Sequence, residues 1–157
     1  MLIYCKFESL MNLKIEKKSD MFTYEFDDDL LLIKYDGPID INELTAFIEF
    51  ILLKFDKVIR KTIMDFRTAK INIDLEGIES LTKVRMKFSN SINHLHTVHL
   101  VNEVNETVYS TLYSLEIPQH VSKVEVCSTI ENTIKLLQLD MTSQQLEAKL
   151  KNLASSY

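Results

Sequence analysis

Between residues 44 and 55, large apolar side chains recur at steps of three and four: Leu44, Phe47, Ile48, Ile51, Leu52 and Phe55. On a helix these positions share one face, and a stripe that wide is stable only against another apolar surface. Asp40 precedes it as an N-cap, with Glu43 three residues on to return the bond. Glu49 and Lys54 interrupt the run, which is also too short to cross a bilayer. The stripe therefore demands a sheet to lie on and reads as core packing rather than a membrane or cofactor face.

The flanking segments supply strands for that sheet. Phe22, Tyr24 and Phe26 alternate with polar neighbours, and "LLLIKY" follows after the turn Asp27-Asp28-Asp29. The turn lacks the wider spacing and distal acid of a calcium loop, so it reads as solvated. Gly37-Pro38 is expected to end the second strand. Residues 58 to 66 form an apolar strand, and 77 to 92 a helix with Ile78, Leu81, Val84, Phe88 and Ile92 inward. A strand over 96 to 101 leads to a helix capped by Asn105, with Val108, Leu112 and Leu115 as its apolar positions and Pro118 as its end. Residues 121 to 127 alternate Val124 and Val126 with Lys123 and Glu125, the pattern of a strand near the sheet edge. Ser128 and Glu131 then open a helix running to Leu137.

The order is β-β-α-β-α-β-α-β-α. Two Gly and two Pro in 157 residues are too few for a sandwich of tight turns. The expected fold class is α/β, a mixed and mostly parallel sheet with right-handed crossovers, about four flanking helices, an N-terminal hairpin and an extra C-terminal helix. Residues 1–20 read as an extension or edge segment, 21–139 as the α/β domain and 140–157 as the amphipathic helix. Met11 is an alternative start that would make the first ten residues an extension. In the last helix Thr142 and Gln145 fit a capping box, and Leu146, Leu150 and Leu153 share a face. Fold-back onto the domain is the expectation; packing on a second subunit, as a homodimer, is the alternative.

The formal charge of −5 disfavours nucleic acid, whose affinity rests on phosphate neutralisation. The one basic run, residues 14 to 20, contains its own acids and reads as a solvated face. Cys5 and Cys127 form no CxxC pair, and no signal peptide opens the chain, so a reducing cytoplasmic setting is expected.

His94, His96 and His99 invite a metal reading, with Glu103 as a further ligand, but 96 and 99 point to opposite faces of a strand. No nucleophile elbow, activated cysteine or glycine-rich phosphate loop is present, and no cofactor is implied. Asp65 and Asp74 are paired acids by spacing alone. Position is more telling, because open α/β sheets bind at the carboxyl ends of their parallel strands. Here those loops are expected at residues 65 to 77 and 102 to 107. They carry Asp65, Arg67, Thr68, Asn72, Asp74 and Glu76, then Asn102, Glu103, Asn105 and Thr107.

Over residues 22 to 139 this element order resembles the STAS superfamily of anti-sigma-factor antagonists, and more closely the small bacterial SpoIIAA-like proteins. Antagonist members carry Asp-Ser-Ser/Thr-Gly at the start of a helix, where phosphorylation of a hydroxyl toggles partner binding. In "DLEGIESL" Asp74 and Gly77 match the ends of that motif, while Leu75 and Glu76 replace its hydroxyl residues, and the connection is about one residue longer. Glu76 cannot accept a phosphoryl group through hydroxyl chemistry, yet it carries a fixed charge at a helix N-terminus. The resemblance implies a non-enzymatic bacterial regulatory domain that binds a protein. A domain for a small apolar molecule or lipid is the first alternative, and would need a continuous pocket under the second and third helices. An enzyme with a dispersed site is the second.

Overall fold

Six strands form one sheet in the order in which they occur: β1 (Glu16–Ser19), β2 (Phe22–Asp27), β3 (Leu30–Ile39), β4 (Lys61–Ile71), β5 (Leu95–Leu100) and β6 (Ser122–Cys127). The computed structural model describes residues 16–19, 22–55, 59–88 and 95–154. The β1–β2 and β2–β3 pairs are antiparallel, and β3 through β6 are parallel. The helices are α1 (Ile41–Phe55), α2 (Leu75–Lys87), α3 (Val104–Glu116), α4 (Ile130–Leu137) and α5 (Ser143–Ala154). The mixed α/β sheet is the expected architecture, with β1 as a further edge strand.

Period-two alternation divides the core. Leu31, Ile33 and Tyr35 face α1, α2 and α3, whereas Leu30 and Leu32 face α4 and α5. The stripe of α1 fills the first layer, with Leu44 and Phe47 each 1% exposed. Asp40 caps α1 by accepting from the backbone N–H of Asn42 and Glu43. The side chain of Phe55 lies outside the described residues.

On the second face Leu146, Leu150 and Leu153 of α5 are fully buried against Leu30, Leu32 and Leu137. The Thr142 Oγ1 accepts from Gln145 N at 3.2 Å, and Gln145 Oε1 accepts from Thr142 N at 2.7 Å, the reciprocal box that the sequence indicates. The helix folds back onto its own chain.

Five expectations are corrected. Gly37-Pro38 does not end β3, which continues to Ile39. Gly37 takes φ +72°, and β2 pairing stops at Tyr35, so a proline without N–H is tolerated on the half-paired edge beyond it. β4 runs on to Ile71 beside that extension, and only residues 72 to 74 connect it to α2. The register slips between Lys34 and Asp36, where β4 advances from Asp65 to Thr68: a bulge that turns Ala69 and Ile71 back toward the first layer. α2 starts at Leu75 and ends at Lys87 with Phe88 as its C-cap, two residues earlier at its start and short of the expected end; Ile92 lies outside the described residues. α3 is rotated from its expected setting. It buries Glu106, Tyr109, Ser110 and Tyr113, leaves Val108 and Leu115 exposed and Leu112 partly buried, and is preceded by Glu103 rather than Asn105. Likewise Thr129, not Ser128, caps α4 by accepting from Asn132 N.

Because α5 is held mainly by three buried leucines, Leu150→Ala is expected to lower stability by about 2–5 kcal/mol in urea unfolding. A change within a few tenths would show that polar contacts alone dock the helix.

Candidate functional site

β4 and β5 are neighbours, but their last paired residues are Asp65 and Leu100, so β4 projects onward from there. The projecting end lies beside the first turn of α3. The buried carboxylate of Glu106 accepts from Ile71 N at 2.9 Å, satisfying a backbone donor that β5 does not reach. Residues 67 to 71 of β4 and Glu103, Asn105 and Glu106 of α3 line an open cleft between them.

The sequence-predicted residues separate here by element. Asp65 has no exposed side-chain surface and points to the second face. Its carboxylate receives Arg67 in bidentate fashion, Nε to Oδ1 at 2.9 Å and Nη2 to Oδ2 at 2.8 Å, with Lys34 Nζ at 3.6 Å. Arg67 Nη1 continues to Glu147 of α5 at 3.0 Å. Hydrogen bonding to Asp65 is the chief cause that holds the Arg67 pKa above its ordinary value. This network braces α5 against the sheet and is taken up by the fold. Thr68 donates to Tyr35 O and to an Asp36 carboxylate oxygen, tying β4 to β3 past the bulge.

Asp74 is the N-cap of α2, with Oδ1 accepting from Gly77 N at 2.8 Å. Gly77 is required by space: a Cβ there would stand 2.6 Å from Ile73 Cγ2. Asn72, Glu76, Asn102, Glu103, Asn105 and Thr107 are exposed. Thr107 Oγ1 donates to Glu103 O within the first turn of α3. Asp65 and Asp74 therefore do not act as a pair.

The sequence reading missed the apolar members of this surface. Leu75 is 66% exposed and Val104 76%, each the first residue of its helix. Leu75 is four residues beyond Ile71 and Val104 two before Glu106, so the Ile71–Glu106 bond puts them at one end of the molecule. Their exposure was the available signal, and only a structure supplies it. Asp74, Glu76 and Glu103, their neighbours in sequence, are exposed as well.

The histidines do not converge. His96 Nε2 lies 2.5 Å from Glu125 Oε2 on one side of the sheet, while His99 is buried on the other. His94 lies outside the described residues, and among those described no group of three metal-ligating side chains occurs. His99 packs near Phe66, Tyr109 and Tyr113, and among the described residues neither ring nitrogen has a hydrogen-bond partner. Burial lowers its pKa to about 3 and pushes the Tyr113 hydroxyl up to about 12. Under α1 the first layer encloses a cavity of about 30 Å³ lined by groups including Ile33, Phe47, Ile51 and Arg85. That is room for roughly one water and not for an acyl chain. Among the described residues no helix is long and apolar enough to cross a membrane.

No protein-family model matches the chain, and no curated protein matches it in sequence. Solved structures are similar in fold. An uncharacterised DUF3478-family protein with a SpoIIAA-like fold, from Shewanella loihica PV-4, is 14% identical, with a TM-score of 0.45 over 79% of this chain and 90% of its own. The anti-sigma factor antagonist SpoIIAA in its unphosphorylated form is 16% identical, with a TM-score of 0.47 over 74% of this chain and 97% of its own. An anti-sigma factor antagonist from Mycobacterium paratuberculosis is 11% identical, with a TM-score of 0.46 over 79% of this chain and all of its own (100%). The likeness is to SpoIIAA-like proteins and is one of architecture, which by itself assigns no residue a role.

The His99 environment gives a pH dependence of defined sign. The folded state keeps His99 neutral down to about pH 3, whereas the unfolded chain takes up a proton near its ordinary value of 6.5. Stability is therefore complete above that value and falls as pH drops from it toward 3, by at most about 1.4 kcal/mol per pH unit. His99→Phe is expected to remove this component, read as a smaller loss of urea midpoint between about pH 7 and about pH 4.5. An unchanged loss would place the acid sensitivity in the carboxylates instead.

Proposed function

We propose that this domain is a non-enzymatic regulatory module that binds a protein partner through the first turns of α2 and α3 and the adjoining end of β4. The observation that carries the reading is the pair Leu75 and Val104, largely exposed beside Asp74, Glu76 and Glu103. Such a surface suits a partner that offers apolar pockets rimmed by basic side chains. It agrees with the regulatory role that the sequence resemblance implies.

Glu76 occupies the second position of α2, within the positive end of the helix dipole. We infer that its carboxylate holds the surface permanently negative where antagonist relatives place a hydroxyl, so binding is set by abundance of the partner rather than by phosphorylation here. Asn72, Asn102, Asn105 and Thr107 form the polar surroundings. Asp65, Arg67 and Thr68 contribute through the shape of β4.

Photo-crosslinking in the native host tests the site. A benzophenone side chain replacing Leu75 or Val104 is expected to capture a discrete protein, and one replacing Gln119, beyond the far end of α3, is not. Adding Glu76→Lys to the Leu75 probe should reduce capture about tenfold or more by reversing a charge at the contact. Equal adducts at all three positions, or capture indifferent to Glu76, would remove the assignment.

A further inference from the structure

β6 ends the sheet. It pairs with β5 on one side, and among the described residues no strand pairs with the other. α3 and α4 lie against β6, while Val124 and Val126 pack at the margin of the first-layer core. Among the described residues no strand takes up the outer backbone donors and acceptors of β6.

The charges on this strand have a two-fold pattern. Lys123 and Glu125 share a face and pair with each other along the strand at 3.0 Å, Glu125 also meeting His96, so a second copy would extend this charge cluster across the edge; Lys123 is 56% exposed and Glu125 26%. Consider a second copy pairing antiparallel across a two-fold axis perpendicular to the sheet. Residues directly opposite then lie on the same face, which restricts the centre to a residue position. Centred on Lys123, the axis juxtaposes two ammonium groups; centred on Glu125, it juxtaposes two carboxylates. Centred on Val124, it sets each Lys123 opposite Glu125 of the second copy and stacks valine on valine. Only this last register is both electrostatically matched and apolar at its centre.

We propose that the β6 edge is a homodimerisation surface, in which two copies join antiparallel about Val124 into a continuous twelve-stranded sheet (six strands from each copy). The occupant is a second copy of this chain because the strand is complementary to itself in charge. A six-residue strand pair is a small contact, so the association is reversible and depends on concentration. This surface is separate from the one assigned to the protein partner and does not rest on it.

Sedimentation equilibrium over a concentration series should show a monomer–dimer equilibrium. K123E puts two acids on each strand and E125K two bases, so each is expected to weaken self-association roughly tenfold. Mixing the two variants should restore dimers, as one-to-one heterodimers, and the double swap K123E/E125K should restore self-association. Circular dichroism establishes that each variant is folded. Amide exchange over residues 122–127 in the unmodified chain needs no variant and should slow as concentration rises. A monomer at all concentrations, exchange independent of concentration, or a dimer unaffected by either charge reversal would overturn the proposal.

Discussion

Asp65 is a charge with no exposed surface, and the molecule is arranged so that it is never alone. Arg67 grips it from two residues along the same strand, Lys34 approaches from β3, and Glu147 holds the other end of Arg67 from α5. Removing one partner of such a group leaves a buried charge without its counter-ion, which typically costs about 3–5 kcal/mol. The network links three segments distant in sequence: β3, β4 and α5. It also fixes where β4 can bulge, since Arg67 must stay on the α5 face while Ala69 and Ile71 return to the first layer. The projecting end of β4, and with it the cleft beside α3, follows from that bulge.

This bulge explains what could and could not be read from the residues. The α1 stripe and the α5 leucines keep one helical phase throughout, so their buried faces are legible from spacing alone. In β4, period two holds from Thr62 through Arg67 and then changes phase. Residues 68 to 71 therefore have no alternation continuous with the preceding strand and read as loop. α3 misled for another reason. Its inward face is Glu106, Tyr109, Ser110 and Tyr113, each able to pack or bond against a specific neighbour, while three aliphatic residues face outward. Hydrophobicity points to the wrong side of a helix when a buried carboxylate must reach Ile71 N and its exposed side carries apolar residues.

The candidate residues sort by the same logic. Those borne on β4 are largely taken up by the fold: Asp65 and Arg67 in the brace, Thr68 in the tie to β3. Those at helix starts remain exposed because a first turn needs only a cap and its own backbone bonds. Asp74 meets that need for α2 through Gly77, leaving Leu75 and Glu76 in solvent. Sequence position directed attention to the carboxyl end of the parallel strands through its strand order. It could not separate structural from available side chains, because that distinction lies in the partner each side chain finds.

The two proposed surfaces differ in kind, and their geometry would make them compatible. The carboxyl-end surface uses side chains at helix N-termini, while the β6 edge uses main-chain groups of a strand. In the antiparallel pairing about Val124, the parallel strands of one copy run opposite to those of the other. The two carboxyl ends must then point in opposite directions. Neither proposed partner surface would be covered by such a pairing, and one large partner could not clasp both on a short arm. Such a dimer would present two independent sites at opposite ends of one sheet. It could bridge two partner molecules, and a partner with two binding motifs would need a long linker to gain avidity from it.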